Sequence, residues 1–439
     1  MRRISGRYGQ LKNGHLPDRP VFAMDRAKPP GGTETDMRFS SYVEKMGGGD
    51  TAAVHDAWSV HGKARQRQRA GEDIILLSIG DHDFATDPRI VAAAKTALDG
   101  GRHHYTPNLG EPATRQAAVD FHQRAIGEAI TPDHVAIVPG AQAGAFTAAM
   151  AVLDAGDEVI CFDPMYVTYA GVIMAPGAVM RFVPLRPENG FQPDPAEVRR
   201  AVGPRTRAIM LNSPHNPTGA VIPRAVLAAL GDIAVAHDLW LISDEVYCTM
   251  TFERPHVSPR LIDGLRERTL SIYSLSKAFA MTGWRMGWVV AEPAVVDRLD
   301  FVLGSMLFGT PPFSQDALVA AIATAFDETS RIRDLYRRRR DVICDALAAL
   351  PALKFSRPEA GMFLMIDVRG TGMGSLDFAE SLLAERNVAV LPGEGFGASQ
   401  AGFVRLSYGT DEATLAEAAR RIAAHVSALT GAGQRATVG

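Results

Sequence analysis

Seven short apolar runs alternate with helical stretches between about residue 73 and residue 290 of this 439-residue chain. The runs are β-branched or otherwise apolar and lie at 135–138, 158–162, 180–184, 208–211, 240–243, 270–273 and 288–290. Helical segments are predicted between them, at 143–153 and 225–237 among others. Strands joined by helical crossovers form parallel sheets that are buried between two layers of helices. The sequence therefore predicts an α/β fold built on a mostly parallel seven-stranded sheet.

The pattern changes after about residue 295. Strands are predicted at 363–368, 388–391 and 403–406, and a closing helix at 412–429. An arginine-rich run at 336–340 is interpreted as a solvated helix face and not as an anion site. We expect a small α+β domain at 296–430, completed by an N-terminal arm and loop at 38–85. A large domain would span 86–295, with a flexible extension at 1–37 and a tail at 431–439.

Charge and composition exclude several functional classes. With a net charge of -3 and 22% charged residues, the chain offers no electrostatic basis for binding nucleic acid or an anionic membrane. No apolar run approaches the length that a bilayer crossing needs. The three cysteines, Cys161, Cys248 and Cys344, lack the paired spacing of metal ligands and fit a reducing compartment. We therefore predict a soluble, cytoplasmic protein without a metal site.

The first thirty-odd residues are basic, rich in glycine and proline, and lack the apolar core of a secretion signal. We interpret them as a flexible tail, with an organelle transit peptide as the alternative. Globular-looking sequence begins near Arg38, which makes Met24 or Met37 a candidate for the natural start.

The segment SLSKAFAMTGWRMGW, residues 274–288, carries the most informative chemistry. Lys277 lies among small hydroxyl residues, and Arg285 follows in a turn rich in glycine and tryptophan. Lysine amines form Schiff bases with carbonyl groups, which is how some enzymes tether an aldehyde cofactor. The segment thus indicates a phosphorylated aldehyde held by Lys277, with Ser274 and Arg285 on its phosphate. The alternative is a surface lysine in a polar loop.

Four further clusters accompany the lysine. NSPHNPTG at 212–219 and SDEVY at 243–247 each follow a predicted strand, with a simple turn and a helix-capping Asp244 as the alternatives. In VPGAQAG a strand runs into a helix start, where backbone amides bind phosphate. Arg405 lies inside the apolar strand FVRLSYG, and a buried arginine needs an anionic partner, either a structural carboxylate or the substrate. Ligand sites of parallel sheets lie in the loops after the strands, where most of these clusters fall.

Together these clusters resemble the class I aminotransferases among the fold type I pyridoxal phosphate enzymes, over roughly residues 73–430 and in the same order. The resemblance implies that Lys277 carries pyridoxal 5'-phosphate and, once displaced by the substrate amine, moves a proton from the substrate Cα. Asp244 would pair with the pyridine nitrogen, so that the ring accepts electrons from Cα. Tyr247 and Asn216 would bind the ring hydroxyl. The phosphate would be held by Ser274, Arg285 and the backbone of Ala141 and Gln142.

The same resemblance implies roles for groups around the substrate. Tyr166 would stack on the cofactor ring, and Tyr105 would reach the phosphate across a dimer interface, which implies a homodimer. Arg405 would clamp the substrate α-carboxylate with its planar guanidinium, together with Asn216. Gly80 lies in the loop that closes over the substrate.

Within the family, segments such as DPMYVTY, NSPHNPTG, ISDEVY and AMTGWR are most similar to the arginine–pyruvate transaminase branch. One departure bears on the amino donor, because the family's usual Gly–x–Pro–Asp reads Gly80–Asp81–His82–Asp83 here. An arginine donor needs an acid in the side-chain pocket, for which Asp81 and Asp83 are candidates, with loop capping or solvation as the alternative. His82 is interpreted as a loop residue, with a ligand contact as the alternative.

We therefore predict a pyridoxal-phosphate-dependent aminotransferase that moves the amino group of an α-amino acid, with arginine as a candidate, to a 2-oxo acid such as pyruvate or 2-oxoglutarate. Its cofactor would lie in the domain at 86–295, and the loop at the end of 38–85 would cover the substrate. One alternative keeps the cofactor and changes the reaction, to that of an arginine oxidase or hydroxylase, a β-lyase or a decarboxylase. The other is a non-catalytic regulator that senses the cofactor, although no helix-turn-helix is evident before residue 73.

Overall fold

The structure is a computed structural model that describes the backbone of residues 51–436 and the side chains of residues 58–431. The extension expected at 1–37, with its candidate starts at Met24 and Met37, lies outside these residues. The described chain begins with helix α1 (Thr51–Arg69) and the short strand β1 (Ile75–Leu76). The closing helix, which begins at Glu412, continues through the start of the expected tail as far as Ala436.

A seven-stranded sheet forms the centre of the larger part of the chain. Its strands are β2 (Val135–Val138), β3 (Glu158–Asp163), β4 (Val179–Pro184), β5 (Thr206–Asn212), β6 (Trp240–Asp244), β7 (Thr269–Ser274) and β8 (Gly287–Val290). They are arranged in the order β2-β8-β7-β6-β5-β3-β4, and only β8 runs antiparallel to its neighbours. The predicted fold class is confirmed, and every strand lies within two residues of its expected bounds.

Helices cover both faces of this sheet. They are α2 (Pro88–Asp99), α3 (Pro112–Ala125), α4 (Ala141–Val152), α5 (Tyr169–Met174), α6 (Pro195–Ala201), α7 (Arg224–Ala236), α8 (Leu275–Ala278), α9 (Pro293–Met306) and α10 (Pro312–Thr324). Several begin where the sequence provides a cap. The Asp87 carboxylate accepts the Arg89 amide at 2.7 Å, and Pro88 occupies the first position of α2, where its missing N–H costs nothing. Because both faces are covered, β2 and β7 are buried along their whole length.

A second, smaller group of elements follows. Its members are α11 (Asp327–Ala348), β9 (Phe363–Asp367), α12 (Ser375–Arg386), β10 (Val388–Ala389), β11 (Leu391–Pro392), β12 (Phe403–Ser407) and α13 (Glu412–Ala436). Strands β11, β12 and β9 form an antiparallel sheet in that order, and β10 pairs in parallel with β1. The single strand predicted at 388–391 was wrong, because the chain leaves one ladder at Val390 and joins another. Val60 and Ala64 of α1 are buried in the core of this group.

The arginine-rich run lies on α11, and its interpretation as a solvated face was wrong for three of its members. Tyr336, Arg339 and Arg340 are buried, whereas Arg337 and Arg338 are exposed. Side chains three and four positions apart share one helix face, which explains the division. The buried face holds loops of the other part of the chain in place. None of the described helices combines the length and apolar character that a bilayer crossing requires.

Candidate active site

Lys277 lies in the single helical turn α8, which follows directly after β7. Its side chain is half-buried, and its Nζ donates a hydrogen bond to the Gly80 carbonyl oxygen at 2.5 Å. Burial lowers the pKa of the Lys277 amine to about 8; the nearby cations Arg405 and Arg285 act in the same direction, and Asp81 opposes them. An amine with such a pKa is partly neutral near pH 7 and can act as a nucleophile or a base.

An anion-binding cradle lies beside the lysine, where β2 runs into α4. Gly140 precedes the helix with φ 87°, a conformation that favours glycine, and the first amides of α4 have no acceptor within the helix. The guanidinium of Arg285 lies against this glycine, since a Cβ there would be 2.3 Å from Arg285 Nη2. Helix N-termini attract anions, so the start of α4 suits a phosphate. The hydroxyl of Ser274 lies at the end of β7, two strands away from β2 in the same sheet.

The segment that carries these two cationic groups is fixed at both ends. Ser274 at the end of β7 is the pairing partner of Gly287 at the start of β8. Lys277 and Arg285 both lie on the connection between these two paired residues. Their spacing is therefore set by the sheet itself.

Asp244 ends β6 and is buried at the floor of the site. The hydroxyl of Tyr169 donates a hydrogen bond to its Oδ2 at 2.6 Å. Burial raises the pKa of the Asp244 carboxyl to about 6, although this hydrogen bond acts in the opposite direction. Tyr169 was not among the predicted site residues. Its spacing of three from Tyr166 in DPMYVTY was the available signal, and the two rings meet edge to face with centroids 5.6 Å apart.

The remaining predicted cofactor groups surround the same space. Tyr166 is half-buried, and Tyr247 is buried, which raises the pKa of its phenol. Gln142, in the first turn of α4, accepts a hydrogen bond from the Thr168 hydroxyl at 2.7 Å. The turn at 212–219 is joined to β6 because Asn212 donates to the Asp244 carbonyl oxygen at 3.0 Å and accepts the Asn216 amide at 2.8 Å.

Arg405 lies in β12 with 3% of its surface exposed. Its guanidinium donates to Asn216 Oδ1 at 3.2 Å and to the Ser78 carbonyl oxygen at 2.9 Å. The rings of Phe363 and Phe396 lie 4.0 and 4.4 Å from it. Among residues 58–431, no carboxylate forms an ion pair with Arg405, and its Nε has no hydrogen-bond partner. Burial lowers the pKa of Arg405 to about 10, so the guanidinium is still charged at neutral pH. A buried positive charge of this kind favours binding of an anion.

The loop at residues 80–84, termed the covering loop, lies over Lys277. A side chain at Gly80 would have to displace the ring of Phe363, because a Cβ would lie 2.3 Å from the tip of that ring. The Asp83 carboxylate accepts two hydrogen bonds from Arg339 of α11, both at 2.8 Å. Asp83 therefore pairs with a residue of the protein itself, which leaves Asp81 as the candidate acid for a cationic substrate. Asp81 Oδ1 accepts from the Thr282 hydroxyl at 2.9 Å. His82 contacts Ser276 and Tyr336 of this chain.

Tyr105 is not brought to the site within this chain. Its side chain is 92% exposed and lies beside the exposed ring of Phe308, with ring centroids 6.1 Å apart. The expectation that it acts across a subunit boundary stays a prediction.

The assembled groups fit pyridoxal phosphate. A partly neutral lysine amine suits an aldehyde, and the cradle at Gly140 and Arg285 suits a phosphate. A buried carboxyl whose pKa is near 6 suits a protonated ring nitrogen, since an adjacent positive charge stabilises its ionised form. The unpaired Arg405 then remains for a substrate carboxylate. A set of this kind suits chemistry at the Cα of an amino acid.

Comparison with known proteins identifies relatives of the same kind. Residues 72–422 match the family model described as aminotransferase class I and II. Arginine–pyruvate transaminase AruH of Pseudomonas aeruginosa is 45% identical over 395 residues, which cover 90% of this chain and 100% of that protein. Aspartate/prephenate aminotransferase of Thermus thermophilus is 39% identical over 370 residues, covering 83% of this chain and 94% of the relative.

Solved structures agree with these sequences. Aspartate aminotransferase of Thermus thermophilus with maleate superposes with a TM-score of 0.82 at 37% identity, covering 89% of this chain and 100% of that one. Aspartate aminotransferase of Thermotoga maritima gives a TM-score of 0.82 at 30% identity, covering 88% and 98%. The resemblance seen in the sequence motifs is confirmed. This chain belongs to the class I and II aminotransferases, and it is a pyridoxal-phosphate-dependent aminotransferase.

Proposed function

We propose that this enzyme takes the amino group of arginine and passes it to pyruvate. The observation that supports an amino acid substrate is the buried guanidinium of Arg405, which has no ionic partner among the described side chains. The choice of arginine and pyruvate rests on the relative named arginine–pyruvate transaminase. The match covers 100% of that relative and 90% of this chain. Asp81 supports a cationic donor, because its carboxylate lies in the covering loop and forms no ion pair with a described residue.

We propose that Lys277 carries the cofactor and serves as the proton carrier. When bound, the cofactor supplies an electron-withdrawing ring that stabilises negative charge at the substrate Cα. The Lys277 amine would take the proton from the substrate Cα and pass it to the bound cofactor, a transfer that suits the lowered pKa of the amine. Asp244 provides the negative charge at the floor of the site, and Tyr169 fixes the orientation of this carboxylate.

The other groups bind and orient. In this proposal Arg405 and Asn216 hold the substrate α-carboxylate, and Tyr247 and Asn216 hold the ring oxygen. Tyr166 covers the ring, and the loop of Gly80 covers the substrate. The phosphate is held by Ser274, Arg285 and the first amides of α4 at Ala141 and Gln142. The separation of the two sheets supports a large domain at 86–295 and a small domain at 296–430 completed by 38–85.

We further propose a homodimer in the cytoplasm. Tyr105 and Phe308 form an exposed aromatic pair, which suits burial against a second copy. Cys161, Cys248 and Cys344 are all free and buried, as suits a reducing compartment.

A two-step titration tests the proposed substrates. Purified holoenzyme receives arginine, and the visible absorbance of the bound cofactor is followed before and after addition of pyruvate. The absorbance should fall with arginine and return with pyruvate, while mass spectrometry detects alanine and the 2-oxo acid derived from arginine. A response to another amino acid alone would refute arginine as the donor. Lys277→Ala serves as the control and should show no covalent cofactor and no turnover.

A further inference from the structure

One side chain of the covering loop, His82, joins it to two different parts of the protein. The ring of His82 lies between the Ser276 carbonyl oxygen, 3.2 Å from Nε2, and the Tyr336 hydroxyl, 3.0 Å from Nδ1. Ser276 immediately precedes Lys277, and Tyr336 is buried on α11. His82 therefore connects the lysine segment with the helix that faces it.

The two partners fix the protonation and tautomer of this imidazole. A carbonyl oxygen only accepts hydrogen bonds, so Nε2 carries the proton that is donated to Ser276. In the neutral ring Nδ1 then accepts, and the Tyr336 hydroxyl is its donor. Burial, together with the charges of Lys277, Arg339 and Arg331, lowers the pKa of His82 to about 3. The ring is neutral at physiological pH and keeps both hydrogen bonds.

The backbone of the covering loop touches the reacting amine two residues before His82. The Gly80 carbonyl oxygen accepts the hydrogen bond from Lys277 Nζ at 2.5 Å. The ring of Phe363 closes off the other side of Gly80, where a Cβ would lie 2.3 Å from it. Within the part of the chain that the structure describes, this carbonyl is the one hydrogen-bond acceptor of the Lys277 amine, so it restricts the directions in which the amine lone pair can point. The position of that acceptor depends on what holds the loop.

We propose that His82 is a positioning residue: by bridging Ser276 and Tyr336, it holds the Gly80 carbonyl at the Lys277 amine and so orients the free lysine for proton transfer at the substrate Cα. This inference rests on the proposed role of Lys277 as the proton carrier. His82 itself touches neither reacting atom. Its contribution is the angle and distance at which the amine meets the Cα–H bond.

Three variants remove one or both of the hydrogen bonds of the His82 ring. Tyr336→Phe removes one hydroxyl and keeps the buried ring, so it deletes only the bond to Nδ1. His82→Gln has a terminal amide that can still donate to the Ser276 carbonyl. His82→Pro removes both ring bonds and also the backbone N–H that donates to Asp81 Oδ1 at 2.9 Å. The matched control is Arg338→Gln, an exposed position on the same helix whose side chain pairs with Glu412 at the surface.

The functional readout is the rate at which the donor's Cα hydrogen exchanges with deuterium in D₂O, without any 2-oxo acid. Because misplacing a catalytic group by about 1 Å can cost on the order of 100-fold in rate, we expect a loss of ~10- to 100-fold in His82→Pro, where neither side-chain bond remains. We expect a smaller loss, of roughly 2- to 5-fold, in Tyr336→Phe and in His82→Gln, because one bond survives in each of them. The dissociation constant of the donor should change by less than about 2-fold in all of them, since His82 does not bind substrate.

A second readout uses the cofactor-free protein. Backbone amide exchange of residues 78–84, followed by mass spectrometry, should be faster in Tyr336→Phe than in the wild type and in Arg338→Gln. Wild-type rates of Cα exchange in Tyr336→Phe and His82→Pro would overturn the inference, even if the loop amides exchange faster. A weaker donor affinity with an unchanged rate would also overturn it. If the wild type itself shows no Cα exchange with any amino acid, the proposed role of Lys277 fails as well.

Discussion

At the scale of single residues, Arg405 is the side chain that we propose selects substrates by their α-carboxylate. Its guanidinium is held by Asn216 and the Ser78 carbonyl and stacked between two phenylalanine rings, so its orientation is set before any ligand arrives. Part of its hydrogen-bonding capacity is unused, since Nε has no partner among the described residues. A planar, pre-oriented fork suits a carboxylate and discriminates against groups of another shape.

We expect Arg405→Lys to lower kcat/KM for the amino donor by ~10- to 100-fold. Charged hydrogen bonds contribute about 1.5 to 3 kcal/mol each, and a lysine cannot form the paired geometry. Steady-state kinetics with the identified donor measures the change. Cofactor affinity, measured by absorbance titration of the cofactor-free protein, should be unaffected. A parallel loss of cofactor affinity would contradict the assignment of Arg405 to the substrate.

Asp244 should make the cofactor-free protein less stable as the pH rises. The pKa of its carboxyl is about 6 in the folded protein and 3.8 for an ordinary aspartate, so the folded state binds this proton more tightly. Its stabilising contribution is fully present below about pH 4 and is lost as the pH rises towards 6. The free energy of unfolding of the wild type, minus that of Asp244→Asn, should therefore fall between pH 4 and pH 7 by roughly 2 to 3 kcal/mol, since one pKa unit corresponds to about 1.4 kcal/mol. A flat difference would show that the carboxylate is already stabilised without cofactor.

At the scale of elements, α11 is the helix that joins the covering loop to the rest of the small group. Tyr336 contacts His82, Arg339 pairs with Asp83, and Arg340 donates to Glu253 at 2.8 Å and to the Pro358 carbonyl at 2.9 Å. These three residues occupy one face of the helix. The two arginines between them point to solvent.

We expect the arginines of this run to differ sharply in their contribution to stability. Arg339→Ala removes a nearly buried partner of Asp83 and should lower the free energy of unfolding by about 1.5 to 3 kcal/mol. Arg338→Ala removes an exposed pair with Glu412 and should change it by less than about 0.5 kcal/mol. Urea unfolding of both cofactor-free variants gives the comparison. Equal losses would show that the buried pair contributes no more than a surface one.

Helix α11 also illustrates which features the sequence could not predict, namely contacts between residues far apart in the chain. The strands from β2 to β8 were predictable because each is a compact apolar run, and Lys277, Asp244 and Asn216 follow such runs directly. The roles expected for these three residues came from the resemblance of the motifs, in their order along the chain, to those of class I aminotransferases. The burial of Arg339 could not be read from the sequence, since its partner Asp83 lies 256 positions away. For the same reason the hydrogen bond from Tyr169 to Asp244 was missed, as were the two contacts of His82.

At the scale of the whole molecule, the exposed aromatic residues mark the expected subunit boundary. Phe308 is 66% exposed and Tyr105 is 92% exposed, although aromatic rings favour burial. Both lie on connections of the large group of elements, Tyr105 between α2 and α3 and Phe308 between α9 and α10. A symmetric dimer buries each such residue twice, once for each copy.

We expect Phe308→Asp to weaken the proposed dimer by at least ~10-fold in Kd, because a large apolar side chain contributes about 1.5 to 3 kcal/mol when buried. Analytical ultracentrifugation over a concentration series measures the dissociation. The matched control is Phe182→Asp, which changes a 52% exposed phenylalanine on the edge strand β4. An unchanged dimer in Phe308→Asp, or a monomeric wild type, would refute this location of the interface.

The pairing of Ser274 with Gly287 has a consequence for how the protein can move. Lys277 and Arg285 share one rigid frame, because both are carried by a segment closed at its ends by neighbouring strands. Arg405 belongs to a different frame, the three-stranded sheet. Sliding one sheet relative to the other would change the separation between the proposed carboxylate grip and the lysine without loosening the anchors of the cofactor. A movement between the two sheets would therefore open or close the proposed site around its substrate, while the groups proposed to anchor the cofactor keep their spacing.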